Sequence, residues 1–114
     1  MIRFTVDGPP VGKERPRRGK HGVWYTPRKT LDYESKVRTA FLQAKQASAE
    51  ECRGDRVQIK VFMATARRPD LDNILKAVVD GLQGVAYAND RTITAMTIQV
   101  VPTTGPSAVE VVVW

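Results

Sequence analysis

One segment constrains the fold more than any other. Leu71, Ile74, Leu75, Val78, Val79 and Leu82 recur at i, i+3, i+4, i+7, i+8 and i+11. Only a 3.6-residue period brings all six onto one side of an element, so the segment is predicted to be an amphipathic α-helix. Pro69 stands before it and Gly84 after it, where helices commonly start and stop. If the apolar stripe faces a core, the opposite face carries Asp72, Asn73, Lys76, Asp80 and Gln83.

The rest of the chain supplies strands and one further helix. Ile2–Val6 alternates apolar and polar residues, the period of a half-buried strand, and Gly8-Pro9-Pro10 ends it. Val11 to Gly22 reads as a Gly/Pro/Arg-rich loop, and Val23–Thr26 as a short strand. Trp24 and Tyr25 are expected in its core or at an interface, with stacking on unpaired bases as the other reading. Thr30 is expected to cap the first helix, with Asp32 and Glu34 in its first turn and an apolar stripe of Tyr33, Val37, Ala40, Phe41, Ala44 and Ala47. Arg56–Thr65, Thr92–Val101 and Ala108–Trp114 are predicted strands. The order implies an α+β fold, with two main helices packed on a mixed β-sheet in a single domain.

Composition narrows the partners. The chain of 114 residues has 42% hydrophobic and 26% charged residues, an ordinary globular balance. No apolar run approaches the ~20 residues of a bilayer span, so no membrane association is expected. The first residues carry an acid and no long apolar stretch, unlike a secretory leader. One cysteine, Cys52, allows no internal disulfide, and a reducing, cytoplasmic setting is expected. The net charge of +6 favours a polyanionic partner. Much of that charge is local: Lys13, Arg15, Arg17, Arg18, Lys20, Arg28 and Lys29 share their stretch with one acid, Glu14. Lys13, Arg15, Arg17, Arg18 and Lys20 are therefore candidate DNA contacts. Arg67 and Arg68, just ahead of the second helix, are candidates to flank a scissile phosphate.

The acids of the second helix admit two readings. Asp70 can cap the helix, Asp72 can complement its dipole, and Asp72, Lys76 and Asp80 can form ordinary i, i+4 pairs. Alternatively, Asp70 and Asp72, joined by Asp90 from the next connection, form a carboxylate cluster. Clustered carboxylates disfavour joint ionisation unless a cation neutralises them. Mg²⁺ takes hard oxygen ligands and keeps several waters, so two or three carboxylates suffice. Lys76 beside them would stabilise negative charge developing on a phosphate. Other chemistries lack their residues. His21 has no evident partner, Cys52 has no activating neighbour, and no zinc spacing exists. Gly8 to Lys13 lacks the spacing of a phosphate loop.

These residues carry a resemblance. Asp70-Leu71-Asp72-Asn73-Ile74-Leu75-Lys76, then Asp80-Gly81-Leu82, then Asn89-Asp90, resembles the signature of RusA-type Holliday junction resolvases, the crossover junction endodeoxyribonucleases. Gly8-Pro9-Pro10, Lys13 and Arg15-Pro16-Arg17 are similar to that family's start. The resemblance implies one RusA-like endonuclease domain over residues 1–114. It implies an enzyme that resolves four-way DNA by paired symmetric nicks, as a homodimer using Mg²⁺ or Mn²⁺, in DNA recombination and repair. Asp70, Asp72 and Asp90 would be the catalytic, metal-binding carboxylates and Lys76 the catalytic lysine. The chain departs from the pattern at Asn89, where the family often has an acid. A non-catalytic nucleic-acid-binding module and a nuclease of broader branched-DNA specificity are the alternatives.

Overall fold

A computed structural model describes residues 1–114. Six strands and two long helices follow in the order β1 (Ile2–Asp7), β2 (Arg17–Arg18), β3 (Trp24–Tyr25), α1 (Arg28–Ala47), β4 (Arg56–Met63), α2 (Leu71–Leu82), β5 (Ala95–Pro102) and β6 (Ala108–Val113). Four strands form one sheet in the order β1-β6-β4-β5. β6 runs antiparallel to both β1 and β4, whereas β5 runs parallel to β4. The sheet is mixed and the helices pack on it, as the α+β reading requires. No helix is long and apolar enough to cross a membrane.

The alternating side chains of the strands build the core. Ile2, Phe4 and Val6 of β1, Val57, Ile59, Val61 and Met63 of β4, and Val109, Val111 and Val113 of β6 are buried. Their period of two puts them on the sheet face that the helices cover. From α1, Tyr33, Val37 and Phe41 descend onto this layer, and Phe41 meets Phe4 edge to face at 6.0 Å between ring centres. From α2 come Ile74, Ala77, Val78, Val79 and Leu82. Each large side chain so buried contributes roughly 1.5–3 kcal/mol. The predicted stripe of α2 is therefore inward-facing, with Leu71 and Leu75 half-buried at its margin. Because Val109, Val111 and Val113 lie fully in this core, their face is not free to form a dimer interface.

Close helix packing depends on Gly81. A Cβ there would stand 3.0 Å from the Glu34 carbonyl oxygen and 3.0 Å from Val37 Cβ. The missing side chain lets α1 approach α2 closely.

Four local expectations are corrected. Thr30 does not cap α1; the helix begins at Arg28, and the Pro27 carbonyl accepts from the Thr30 and Leu31 N–H groups. Thr30 is buried inside the helix, and its hydroxyl accepts from the Glu14 N–H at 3.3 Å, a tertiary partner that outcompetes a cap. The loop from Val11 to Gly22 contains a strand: Arg17 pairs with Tyr25 and Arg18 with Trp24. Trp24 and Tyr25 are exposed, because this small hairpin pairs with no other strand and the core lies elsewhere. Finally, Thr92 belongs to a 3-10 turn, Asp90–Thr92, that precedes β5.

Candidate active site

α2 presents Asp72, Lys76 and Asp80 one turn apart along a single line, because residues four apart stack on the same helix face. Asp90 reaches that line from the 3-10 turn between α2 and β5. Asp72, Lys76 and Asp90 line one cavity of about 180 Å³, with Leu75, Val79 and Met96 as its apolar walls. Lys76 Nζ lies 3.1 Å from Asp80 Oδ1 and 3.8 Å from Asp90 Oδ2. The lysine thus stands between two carboxylates.

Asn89 explains how Asp90 is held. Its side-chain oxygen accepts from the Arg91 N–H at 2.9 Å and from Arg91 Nε at 3.3 Å. The Asn89 carbonyl accepts from the Thr92 hydroxyl at 3.0 Å. A neutral side chain at the position where an acid was expected acts here as the cap of the turn that presents Asp90.

Asp70 occupies the residue before α2, is exposed, and caps the helix with no side-chain hydrogen bond. It does not line the cavity that holds Asp72 and Asp90. No three His, Cys, Asp or Glu side chains stand close enough together to enclose an ion by themselves.

A second, half-buried group of charges braces the site from behind. Lys13 Nζ lies 2.6 Å from Glu34 Oε1 and 3.1 Å from Asp80 Oδ2. Burial opposes the charge on Lys13, but hydrogen bonds to Glu34 and Asp80 and their negative charge outweigh it and raise its pKa. Asp80, whose side chain is only 19% exposed, accepts from Lys13 with one oxygen and faces Lys76 with the other. Sequence spacing made the Lys76–Asp80 pair visible. Nothing local signalled Glu34 or Lys13 as its partners.

The Lys13 loop docks on the start of α2. The Lys13 N–H donates to the Asn73 carbonyl at 2.9 Å. A Cβ on Gly12 would come within 2.9 Å of Pro69 Cβ, so only glycine permits this approach. Of the candidate DNA contacts, Lys13 is therefore occupied internally. Arg17 is exposed and pairs with Glu14 at 3.1 Å. Arg15, Arg18, Lys20, Arg67 and Arg68 are exposed and make no ion pair. Arg68 donates to the Pro69 carbonyl at 3.1 Å beside the start of α2.

Two tyrosines, Tyr33 and Tyr87, are buried. The Tyr87 hydroxyl donates to the Val79 carbonyl at 2.5 Å, and burial, with Asp90 and Asp80 nearby, pushes its pKa up. The Tyr33 hydroxyl is buried without a partner, and burial pushes its pKa up to about 12.

No curated protein matches the chain. The family model for endodeoxyribonuclease RusA matches residues 7–113, from the end of β1 to the end of β6, and the chain belongs to this family.

Proposed function

We infer that the protein is a structure-specific endodeoxyribonuclease that cuts four-way DNA junctions by paired symmetric nicks, in DNA recombination and repair. The observation that carries this reading is the shared cavity of Asp72, Asp90 and Lys76, in a chain of the endodeoxyribonuclease RusA family. A free, half-buried Cys52 fits a reducing cytoplasm.

The donor chemistry of the cavity fits Mg²⁺ or Mn²⁺. It offers carboxylate oxygens and neither thiolate nor imidazole. Two carboxylates are what Mg²⁺ commonly takes from a protein when substrate phosphate and water complete its shell. Asp72 and Asp90 would hold the ion, and Asp70, one residue before α2 and outside this cavity, would join as a third carboxylate only by turning toward it. A bound divalent ion supplies an activated water and charge relief on the phosphate.

The chain's own residues do the rest. Lys76 directs its ammonium at the phosphate oxygens that gain charge during attack, and a donor set in place beforehand acts without reorganisation cost. Leu75, Val79 and Met96 limit the water around it. Arg67 and Arg68 border the site and contact the flanking backbone, while Arg15, Arg17, Arg18 and Lys20 extend the phosphate contacts. Such contacts fix orientation without reading sequence. Two symmetric nicks require two sites, and a C2 homodimer matches the twofold symmetry of a four-way junction.

The test is cleavage of a synthetic four-way junction with and without Mg²⁺, using Asp72→Asn as the comparison. Cutting by the native chain only in the presence of the ion, and retained binding without cutting by Asp72→Asn, is the expected result. Cutting at the native rate by Asp72→Asn would overturn the site assignment.

A further inference from the structure

The hairpin from Arg17 to Tyr25 carries apolar side chains where no core reaches them. Val23 and Trp24 are each 65% exposed and Tyr25 49%, more than any other large hydrophobic residue of the chain. They are consecutive, and as successive strand residues Trp24 and Tyr25 leave β3 on opposite faces. Backbone hydrogen bonds close the hairpin. The Gly19 N–H donates to the Val23 carbonyl at 2.8 Å, and the Gly22 N–H to the Gly19 carbonyl at 3.3 Å. A 3-10 turn over Lys20–Gly22 closes the tip, with His21 in the left-handed region at φ 65°.

Within this frame the side chains have different duties. The Tyr25 ring lies against Gly19, close enough that a Cβ there would stand 3.3 Å from it. The Arg18 guanidinium turns toward Gly22 instead of covering the indole of its cross-strand neighbour Trp24. Trp24 has no aromatic or cation partner in the chain; the one cation–π contact is Arg56 over Trp114, and the one aromatic pair is Phe4 with Phe41. A flat, unpartnered indole thus projects from an arm that also carries Arg17, Arg18 and Lys20, with Arg15 just before it and Arg28 and Lys29 just after it at the start of α1.

Aromatic rings set among cations are the means by which proteins stack unpaired bases while tracking a phosphate backbone. We propose that this hairpin is a base-stacking arm: Trp24 stacks on an unpaired base at the branch point of a DNA junction, while Arg18 and Lys20 hold the adjacent phosphates. The proposal rests on the branched-DNA reading above and deepens it. All bases of a four-way junction can pair, but a pair at the branch point has lost a stacking neighbour and opens at less cost than one inside a continuous duplex. The arm thereby favours branched over linear DNA. A second copy of the chain is the poorer occupant, because two such arms would bring their excess cations together.

The experiment measures binding by the full-length chain in EDTA, so that hydrolysis does not intervene. The probes are a four-way junction and a linear duplex of equal length, the junction bearing 2-aminopurine at the branch point or in mid-arm. Trp24→Ala is expected to weaken junction binding about tenfold and duplex binding less than about twofold, with Trp24→Phe restoring most of the loss. The branch-point probe should change its emission with the native chain and Trp24→Phe, but not with Trp24→Ala. The mid-arm probe should respond to none of them. Equal weakening on both DNAs, or no weakening on either, overturns the stacking arm. So does a lower sedimentation mass for Trp24→Ala, which would make the exposed indole a contact between copies. Junction cleavage in Mg²⁺ is scored separately with native chain and Asp72→Asn. Intact cutting with no Trp24 effect removes the arm alone. Normal stacking without cutting under any divalent ion removes the endonuclease reading alone.

Discussion

Lys13 and Asp80 meet at 3.1 Å, joining the N-terminal loop to the helix that carries the candidate site. Through Asp80 the contact continues to Lys76 at 3.1 Å, and from Lys76 to Asp90 at 3.8 Å. Glu34 anchors the other end at 2.6 Å from Lys13. Three carboxylates and two ammonium groups alternate along this line, so each charge has an opposite neighbour and Lys76 is held over the cavity.

Removing the centre of this line should be costly. Asp80→Asn leaves two ammonium groups facing one neutral amide in a half-buried place. We expect a loss of about 2 kcal/mol, in the range of hydrogen bonds to charged groups. Urea unfolding measures it, and an unchanged midpoint would remove Asp80 from the bracing role.

Asp72 should separate chemistry from folding. It is exposed in the first turn of α2, where its charge contributes at most about 1 kcal/mol through the helix dipole. Asp72→Asn should therefore unfold within about 1 kcal/mol of the native chain while cutting of a junction is abolished. Calorimetric titration with Mn²⁺ should show binding to the native chain that is lost in Asp72→Asn and in Asp90→Asn. Equal heats from all three would rule out this pair as the ion's ligands.

Asn89 should matter through its cap. Asn89→Ala removes the acceptor for the Arg91 N–H and should cost about 1 kcal/mol. Cutting should slow more than the stability loss explains, since Asp90 loses its turn. Asn89→Asp keeps the acceptor and should retain the native melting temperature.

Gly81→Ala sets two effects against each other. Alanine favours the helix by about 1 kcal/mol. Its Cβ would press on the Glu34 carbonyl and Val37 Cβ at 3.0 Å, both fixed to the α1 backbone. Overpacking of this kind costs about 1–3 kcal/mol, so the clash should win and the melting temperature should fall. A rise would show that α1 can move aside.

Alkaline pH should weaken the fold in a defined window. The Tyr33 pKa is about 12 in the folded chain against an ordinary 10.0, so its neutral form is the one the fold favours. Its contribution is fully present below pH 10 and is lost as pH rises from 10 through about 12. Lys13, with its raised pKa, loses its contribution at high pH in the same sense. Tyr33→Phe should be close to neutral at pH 7, because the hydroxyl has no partner, and should flatten the loss above pH 10. Tyr87→Phe should instead cost about 1 kcal/mol at pH 7, because its hydroxyl donates to Val79. Denaturant midpoints measured from pH 7 to 12 test both.

Much of this was legible in the sequence where the signal is local. The stripe from Leu71 to Leu82 determined a helix, and that helix determined which face Asp72 and Lys76 occupy, because side chains recur every 3.6 residues whatever surrounds them. The alternation in β1 and β4 likewise determined their buried faces. Thr30 misled for the opposite reason: its hydroxyl has a choice of partners, and the choice went to Glu14, which lies outside the helix.

Tertiary structure alone decided the rest. Nothing near Lys13 in the chain shows that its ammonium is taken up by Glu34 and Asp80, or that Asn89 spends its side chain holding the turn of Asp90. Trp24 and Tyr25 have the composition of core residues, yet the hairpin that carries them pairs with no other strand. The sequence by itself determined the periodic elements and the residues able to do the chemistry. The parallel pairing of β4 with β5 and the docking of the N-terminal loop on α2 decided which of those residues meet. Such meetings join segments far apart in the chain, and they are set by how the whole core closes rather than by any local preference.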